Sequence, residues 1–257
     1  MAILGVDPAW TAHNPSGVAL LSNKGKLIAV APSYISFKAL SDGHNVDWSK
    51  RAKSGDSVEN VLDAGKQLAP HDPITIVSVD MPVSKLQITS RRPADNMVSK
   101  VYGAMWCSSH SPSQQRPGSI SEEFSRVMTE QQFHLATVER LVGKSYLEVY
   151  PHTALLRLMK SDKRLPYKKS KRSKYWPNLS TKERKQELIK QWSKIVLALE
   201  EKVGCIDIPI DDQVNLKSVE DALDAIICAW VGYEYANGRA ESLGDKNAVI
   251  WTPVSAT

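Results

Sequence analysis

Two short apolar segments decide most of what this chain can fold into. Residues 2–6, Ala-Ile-Leu-Gly-Val, run without a polar interruption and stop at Asp7-Pro8. A strand exposed on one face alternates polar and apolar side chains, so an unbroken run predicts a strand covered on both faces. Residues 74–80, Ile-Thr-Ile-Val-Ser-Val-Asp, predict a second buried strand that again finishes on an aspartate, with Pro82 close behind. Between them, Val58, Val61, Leu62, Ala64 and Leu68 recur at near-helical spacing, and Pro70 and Pro73 frame the exit. That is the pattern of a crossover helix feeding a buried strand, and it sets the class as α/β. Strands at 17–21 and 27–30 flank the tight turn Asn23-Lys24-Gly25-Lys26, and a further extended stretch is expected at 34–37. The first strand therefore opens an antiparallel three-stranded meander.

Further along, helices are expected at 94–104 and 122–141, separated by a Ser/Pro/Gly-rich link at 108–119. Residues 146–150 alternate like a short strand, and Pro151 starts a helix through Met159, since proline is tolerated in a first turn. Ser180 and Glu183 cap a helix over 181–202, whose Trp192, Ile195, Val196 and Leu199 stripe reads as packing. A last helix spans 218–237 up to the stop signal Asn237-Gly238, and 248–251 is expected as one more edge strand. The 257 residues show no repeat and read as a single domain, with a basic insertion at about 160–185. Cys107, Cys205 and Cys228 are odd in number and have no metal-ligand spacing, which favours a reducing compartment. No basic leader or 18-residue apolar run is present, so the expectation is a soluble cytoplasmic protein without membrane contact. Phosphate-loop, dinucleotide and zinc signatures are missing, and no organic cofactor is expected.

Charge is unevenly spread. Between Lys160 and Lys185 there are eleven Lys/Arg and two acids, a local charge of +9 against +5 for the whole chain, so the remainder is acidic. Tyr167, Tyr175 and Trp176 interleave with this block, which suits a surface that holds phosphates by charge and bases by stacking. Lys168, Lys169, Lys171 and Arg172 are its candidate nucleic-acid contacts. The plainer alternative is a solvated loop.

Asp7 and Asp80 sit at strand ends, where open α/β sheets assemble their sites. Asp221 and Asp224 lie three apart, hence on one face of the late helix, inside an otherwise apolar stretch. Inward acids are costly unless paired or bound to a cation, and several become affordable together when a divalent metal neutralises them. Two-metal phosphodiester cleavage needs such a set, with hard oxygen ligands for Mg²⁺ or Mn²⁺ drawn from several elements. In that reading Asp7 bridges, while Asp80, Asp221 and Asp224 flank. Taken singly, each aspartate also fits a turn or a helix cap.

The same residues carry a resemblance. Gly5-Val6-Asp7 leading into Ser16-Gly17-Val18-Ala19, then Ser78-Val79-Asp80-Met81-Pro82, Leu147-Glu148-Val149-Tyr150-Pro151, Asp221-Ala222-Leu223-Asp224-Ala225 and Val249-Ile250-Trp251 resemble the family named domain of unknown function 429. Arg91-Arg92-Pro93-Ala94-Asp95, Tyr102-Gly103, His110-Ser111-Pro112 and Arg116-Pro117-Gly118 are similar to its middle section. That family is regarded as RNase H-like, and the acid arrangement is more distantly similar to the Holliday-junction resolvase branch of that superfamily. The resemblance implies a mixed five-stranded sheet flanked by helices, with Asp7, Asp80, Asp221 and Asp224 as metal ligands at its centre. Glu148 matches a strand-ending acid and is either a fifth site residue or a partner of Arg91 or Arg92.

His110 is a candidate for positioning water or phosphate, or simply a hydrogen-bonded loop side chain. Arg92 and Arg116 either clamp phosphate, which a guanidinium does with two oxygens at once, or pair with Asp95 and Glu122. The function expected first is a metal-dependent nuclease acting on DNA or RNA with water as nucleophile. A second reading is an inactive nucleic-acid-binding module, whose binding would survive chelation and fall steeply with salt. A third, an ATP-dependent phosphotransferase, needs two copies of the core and a glycine-rich hairpin, neither of which the sequence has room for or contains.

Overall fold

The computed structural model describes residues 1–11, 14–138 and 143–254. Its centre is one mixed sheet. The strands are β1 (Ala2–Asp7), β2 (Gly17–Leu21), β3 (Leu27–Ala31), β4 (Ile74–Val79), β5 (His134–Leu135), β6 (Ser145–Val149), β7 (Ala240–Gly244) and β8 (Val249–Pro253). They lie in the order β3-β2-β1-β4-β6-β8-β7, with β5 pairing off this path to β6. β1, β4, β6 and β8 run parallel to one another, whereas β2, β3 and β7 are antiparallel to their neighbours. The sheet thus has eight strands where five were expected. The strand foreseen at 248–251 is interior rather than an edge, because β7 closes that side.

The helices are α1 (Tyr34–Ser41), α2 (Val58–Leu68), α3 (Pro93–Tyr102), α4 (Ser119–Glu130), α5 (Pro151–Leu158), α6 (Arg172–Tyr175), α7 (Thr181–Val203) and α8 (Leu216–Ala236). Buried side chains of α8, α7 and α5 form one core with one face of the sheet, and those of α1, α2 and α4 form a second core with the other. A third, smaller cluster joins α3 to β7 and β8. Residues 34–37, expected to be extended, instead open α1, because the Ser33 side chain accepts the Ser36 N–H and caps the turn. The helix expected to run to 141 stops at Glu130; Gln132 takes a left-handed φ of 64°, and residues 134–135 then join the sheet. Residues 139–141 of that expectation lie outside the described residues. No helix among the described residues is long and apolar enough to cross a membrane.

Two features of this fold position the site. The first is register: Val6 pairs with Val79, so Asp7 and Asp80, each one residue further on, stand side by side on adjacent parallel strands. Alternation along each strand then gives Ile3, Gly5 and Asp7 the same face as Ile76, Ser78 and Asp80. The second is the close approach of α8 to that face. A Cβ on Gly5 would collide with the backbone at Ala225 and Ala229, and one on Gly17 with the carbonyl of Asp221. Gly232 likewise packs against Ser78 and Ile3, and the Ser78 hydroxyl donates 2.6 Å to the Cys228 carbonyl. Small residues on both partners let helix and sheet touch backbone to backbone, which brings the first turns of α8 over the ends of β1 and β4.

Candidate active site

Asp7, Asp80 and Asp224 converge from β1, the end of β4 and α8, and one oxygen from each lies within 4.8 Å of the others. Asp224 is fully buried, while Asp7 and Asp80 are partly open to a cleft. Among the described residues neither the Asp7 nor the Asp80 carboxylate is held by a hydrogen bond or an ion pair. Asp224 is held twice, accepting the Tyr167 hydroxyl at 2.7 Å and the ammonium of Lys168. Asp221, one turn earlier on α8, meets Lys217 at 2.5 Å through one oxygen, and its other oxygen is buried without a partner.

Four carboxylates and two ammonium groups therefore share one region, and their proton affinities reflect it. Burial pushes Asp7 well above the usual carboxylate range, and repulsion from Asp224, Asp221 and Asp80 adds to it. Burial also lifts Asp80 and Asp221, each to about 7, against the opposing pull of Lys168 and Lys217 respectively. Burial works against the charge on Lys168, yet Asp224 and its other neighbours hold that ammonium firmly protonated.

The carboxylates floor a cleft of about 640 Å³. Its walls carry Arg116, Arg164, Lys171, His110 and Trp10, a basic rim around an acidic floor. The Arg116 guanidinium lies 5.4 Å above the Trp10 ring, and the His110 ring is 5.8 Å from it. His152, in the first turn of α5, is 5% exposed and sits between the rings of Tyr150 and Tyr167. Its Nε2 is 2.5 Å from Arg164 Nη2, while Nδ1 has no partner. Burial first, then the charges of Arg164 and Lys168, drive this imidazole well below its ordinary pKa, so it is neutral near pH 7 and accepts from the guanidinium.

The family described as Protein of unknown function (DUF429) matches residues 5–248. The chain belongs to that family. Neither a curated protein nor a solved structure matches it. The span matched to DUF429 holds all four aspartates, both lysines and the whole basic rim.

Within this DUF429 chain the expected site residues separate by place. Asp7, Asp80 and Asp224 meet, and Asp221 borders the same cleft through its contact with Lys217. His110, Arg116 and Lys171 stand on the rim, whereas Lys169 and Arg172 line a neighbouring hollow. Lys168 lines the same cleft and pairs there with Asp224.

Glu148 and Arg92 take the pairing alternative expected for each, Glu148 with Arg92 and Arg92 with Asp95. Glu148 is level with Val79 on β4, so its side chain takes the face opposite to Asp80. There it receives Arg92 through two bonds of 2.6 and 2.7 Å and the Val83 N–H at 3.0 Å. Arg92 also binds Asp95 at 3.0 Å and is 6% exposed, which makes the trio a buried ion-paired strut. His152, Arg164 and Lys217 were not foreseen. Lys217 does carry a legible signal, since Glu220 and Asp221 follow it at helical spacing; His152 comes three residues after the end of β6, in the first turn of α5, and carries none.

Proposed function

We propose that this chain is a metal-dependent nuclease hydrolysing phosphodiester bonds of DNA or RNA on an RNase H-like core. The observation that carries the reading is the convergence of Asp7, Asp80 and Asp224 from three separate elements. The strand order β3-β2-β1-β4-β6, with β2 antiparallel, supports the kinship, as does the placing of acids on β1, β4 and α8.

The donor set suits Mg²⁺ or Mn²⁺. It consists of carboxylate oxygens alone, the hard ligands these ions prefer. Two of the three carboxylates have no hydrogen bond or ion pair among the described residues, and a buried Asp221 oxygen is orphaned beside them. Bound there, the metal would supply an activated water and stabilise charge on the leaving oxygen. Asp7, Asp80 and Asp224 would hold it, and Asp221, now paired with Lys217, would be the further carboxylate for a second ion. Lys168 and Lys217 limit repulsion among the acids. Arg116, Lys171 and His110 face the cleft where they hold phosphate oxygens, and His152 fixes the Arg164 guanidinium in the same wall.

Purified protein with Mg²⁺ or Mn²⁺ is expected to cut some member of a panel of branched, hybrid and single-stranded substrates, and Asp7→Asn to abolish cutting. Metal binding without cleavage across the panel would refute this reading. It would favour a nucleic-acid-binding module, which the ion pair between Lys168 and Asp224 also suits, since a cation already sits among the acids. ATP hydrolysis in the same preparation would favour the phosphotransferase.

A further inference from the structure

Beside the acidic cleft lies a second hollow of about 490 Å³, and its charge is of the opposite kind. Arg51, Lys169, Arg172, Arg184 and Lys217 line it, with Glu220 as the one acid in its wall. Glu220 is already satisfied by Lys217 at 2.9 Å and by the backbone N–H of Lys169. The hydrogen bonds of the three arginines go to neutral oxygens. Arg51 donates to the Asn14 amide oxygen at 2.6 Å, Arg172 to the Lys169 carbonyl at 3.1 Å, and Arg184 to the Trp176 and Pro177 carbonyls at 2.9 and 2.7 Å. Among the described residues, Arg51, Lys169, Arg172 and Arg184 have no carboxylate partner.

These cations differ from a solvated surface run in two respects. They come from three separate segments: the loop before α2, the basic insertion, which reaches into the first turn of α7, and the first turn of α8. Lys169, Arg172 and Arg184 are moreover half-buried, and carbonyls orient both of those arginines. Positive charge held in place and left unneutralised is what recognition of a phosphate requires, because little side-chain entropy remains to be lost on binding.

Ser170 and Lys217 line both this hollow and the acidic cleft, so the two are contiguous. A ligand with a single phosphate cluster fills only one of them, whereas a polymer with a phosphate on every unit fills both. We infer that the hollow formed by Arg51, Lys169, Arg172 and Arg184 binds a backbone phosphate of the nucleic-acid strand whose scissile phosphate meets Asp7, Asp80 and Asp224. The assignment rests on the nuclease reading and adds Arg51 and Arg184 to the surface that selects a strand over a free nucleotide.

The test is anisotropy of a fluorescein-labelled 20-nucleotide single strand, in EDTA and across 50–200 mM NaCl, with ATP and inorganic phosphate as competitors. Arg51→Gln/Lys169→Gln is expected to weaken strand binding about tenfold or more. The slope of log affinity against log salt is expected to fall by about 1.4, two contacts at about 0.7 each. Arg172→Gln alone serves as the second variant, compared with wild type at matched melting temperature. Unchanged affinity and slope would overturn the assignment, and so would ATP competing as effectively per molecule as unlabelled strand. Cleavage is scored separately through Asp7→Asn. Strand binding that depends on Arg51 and Lys169 in a protein that cuts nothing would refute the nuclease and leave the phosphate hollow standing.

Discussion

Replacing Arg92 by methionine removes the one cation between two buried carboxylates while keeping most of the side chain's length. Arg92, Asp95 and Glu148 are exposed by only 6%, 1% and 5% at their side chains, so solvent cannot take over the lost contacts. After the change Glu148 keeps only the Val83 N–H, and Asp95 keeps the Arg92 backbone N–H and the Ser109 hydroxyl. Removing one partner of a buried ion pair costs about 3–5 kcal/mol. For a chain of this size that amounts to a melting temperature about 6–20 °C lower. The loss depends on pH. Burial already raises Glu148 against the pull of Arg92, so without the arginine its folded-state pKa rises further above the unfolded one. Stability linked to such a raised group is present at acid pH and lost as pH climbs through the folded value, so the deficit of the variant widens between pH 5 and pH 8. Adding Glu148→Gln recovers part of it. Thermal unfolding followed by circular dichroism at both pH values checks this. A melting point within 2 °C of wild type, together with weakened oligonucleotide binding, would show Arg92 to be a phosphate clamp after all.

Gly5→Ala forces a methyl group into the backbone of α8 at Ala225 and Ala229 and is expected to cost about 3 kcal/mol or more, read from urea unfolding. Burial raises Asp80 and Asp221 to about 7, so in chelator the fold is stabilised below their unfolded pKa values and loses that stability as pH rises through about 7. Mn²⁺ is accordingly expected to raise the melting temperature more at pH 8 than at pH 5, which scanning calorimetry with and without metal checks. An equal shift at both values would mean that these carboxylates are not its ligands.

The site acids were legible because each sits where the sequence punctuates: Asp7 and Asp80 where an apolar run ends, Asp221 and Asp224 where an apolar helix face is interrupted. Glu148 sits inside an apolar stretch, one residue before the end of β6, and has a different fate. Which face its side chain takes depends on the pairing of β6 with β4, and a shift of one residue would reverse it, so local pattern alone does not decide. β7, Ala-Glu-Ser-Leu-Gly, lacked both alternation and β-branched residues; its partner β8 makes it a strand. Tyr-Ile-Ser-Phe at 34–37 looked extended by composition, and a serine cap with packing on α2 overrode that preference. The phosphate hollow gathers Arg51 and Arg184 across more than a hundred residues, which no window along the chain can reveal.

The glycine contact between β1 and α8 joins Gly5 to Ala225, 220 residues apart along the chain. A ribosome adding about 5–20 residues per second needs roughly 10–45 s to travel between them. Throughout that interval the first hairpin has been made but its greasy inner surface has no lid. Fragments that end before residue 216 never acquire one. The meeting of Asp224 with Asp7 and Asp80 therefore waits for the synthesis of α8.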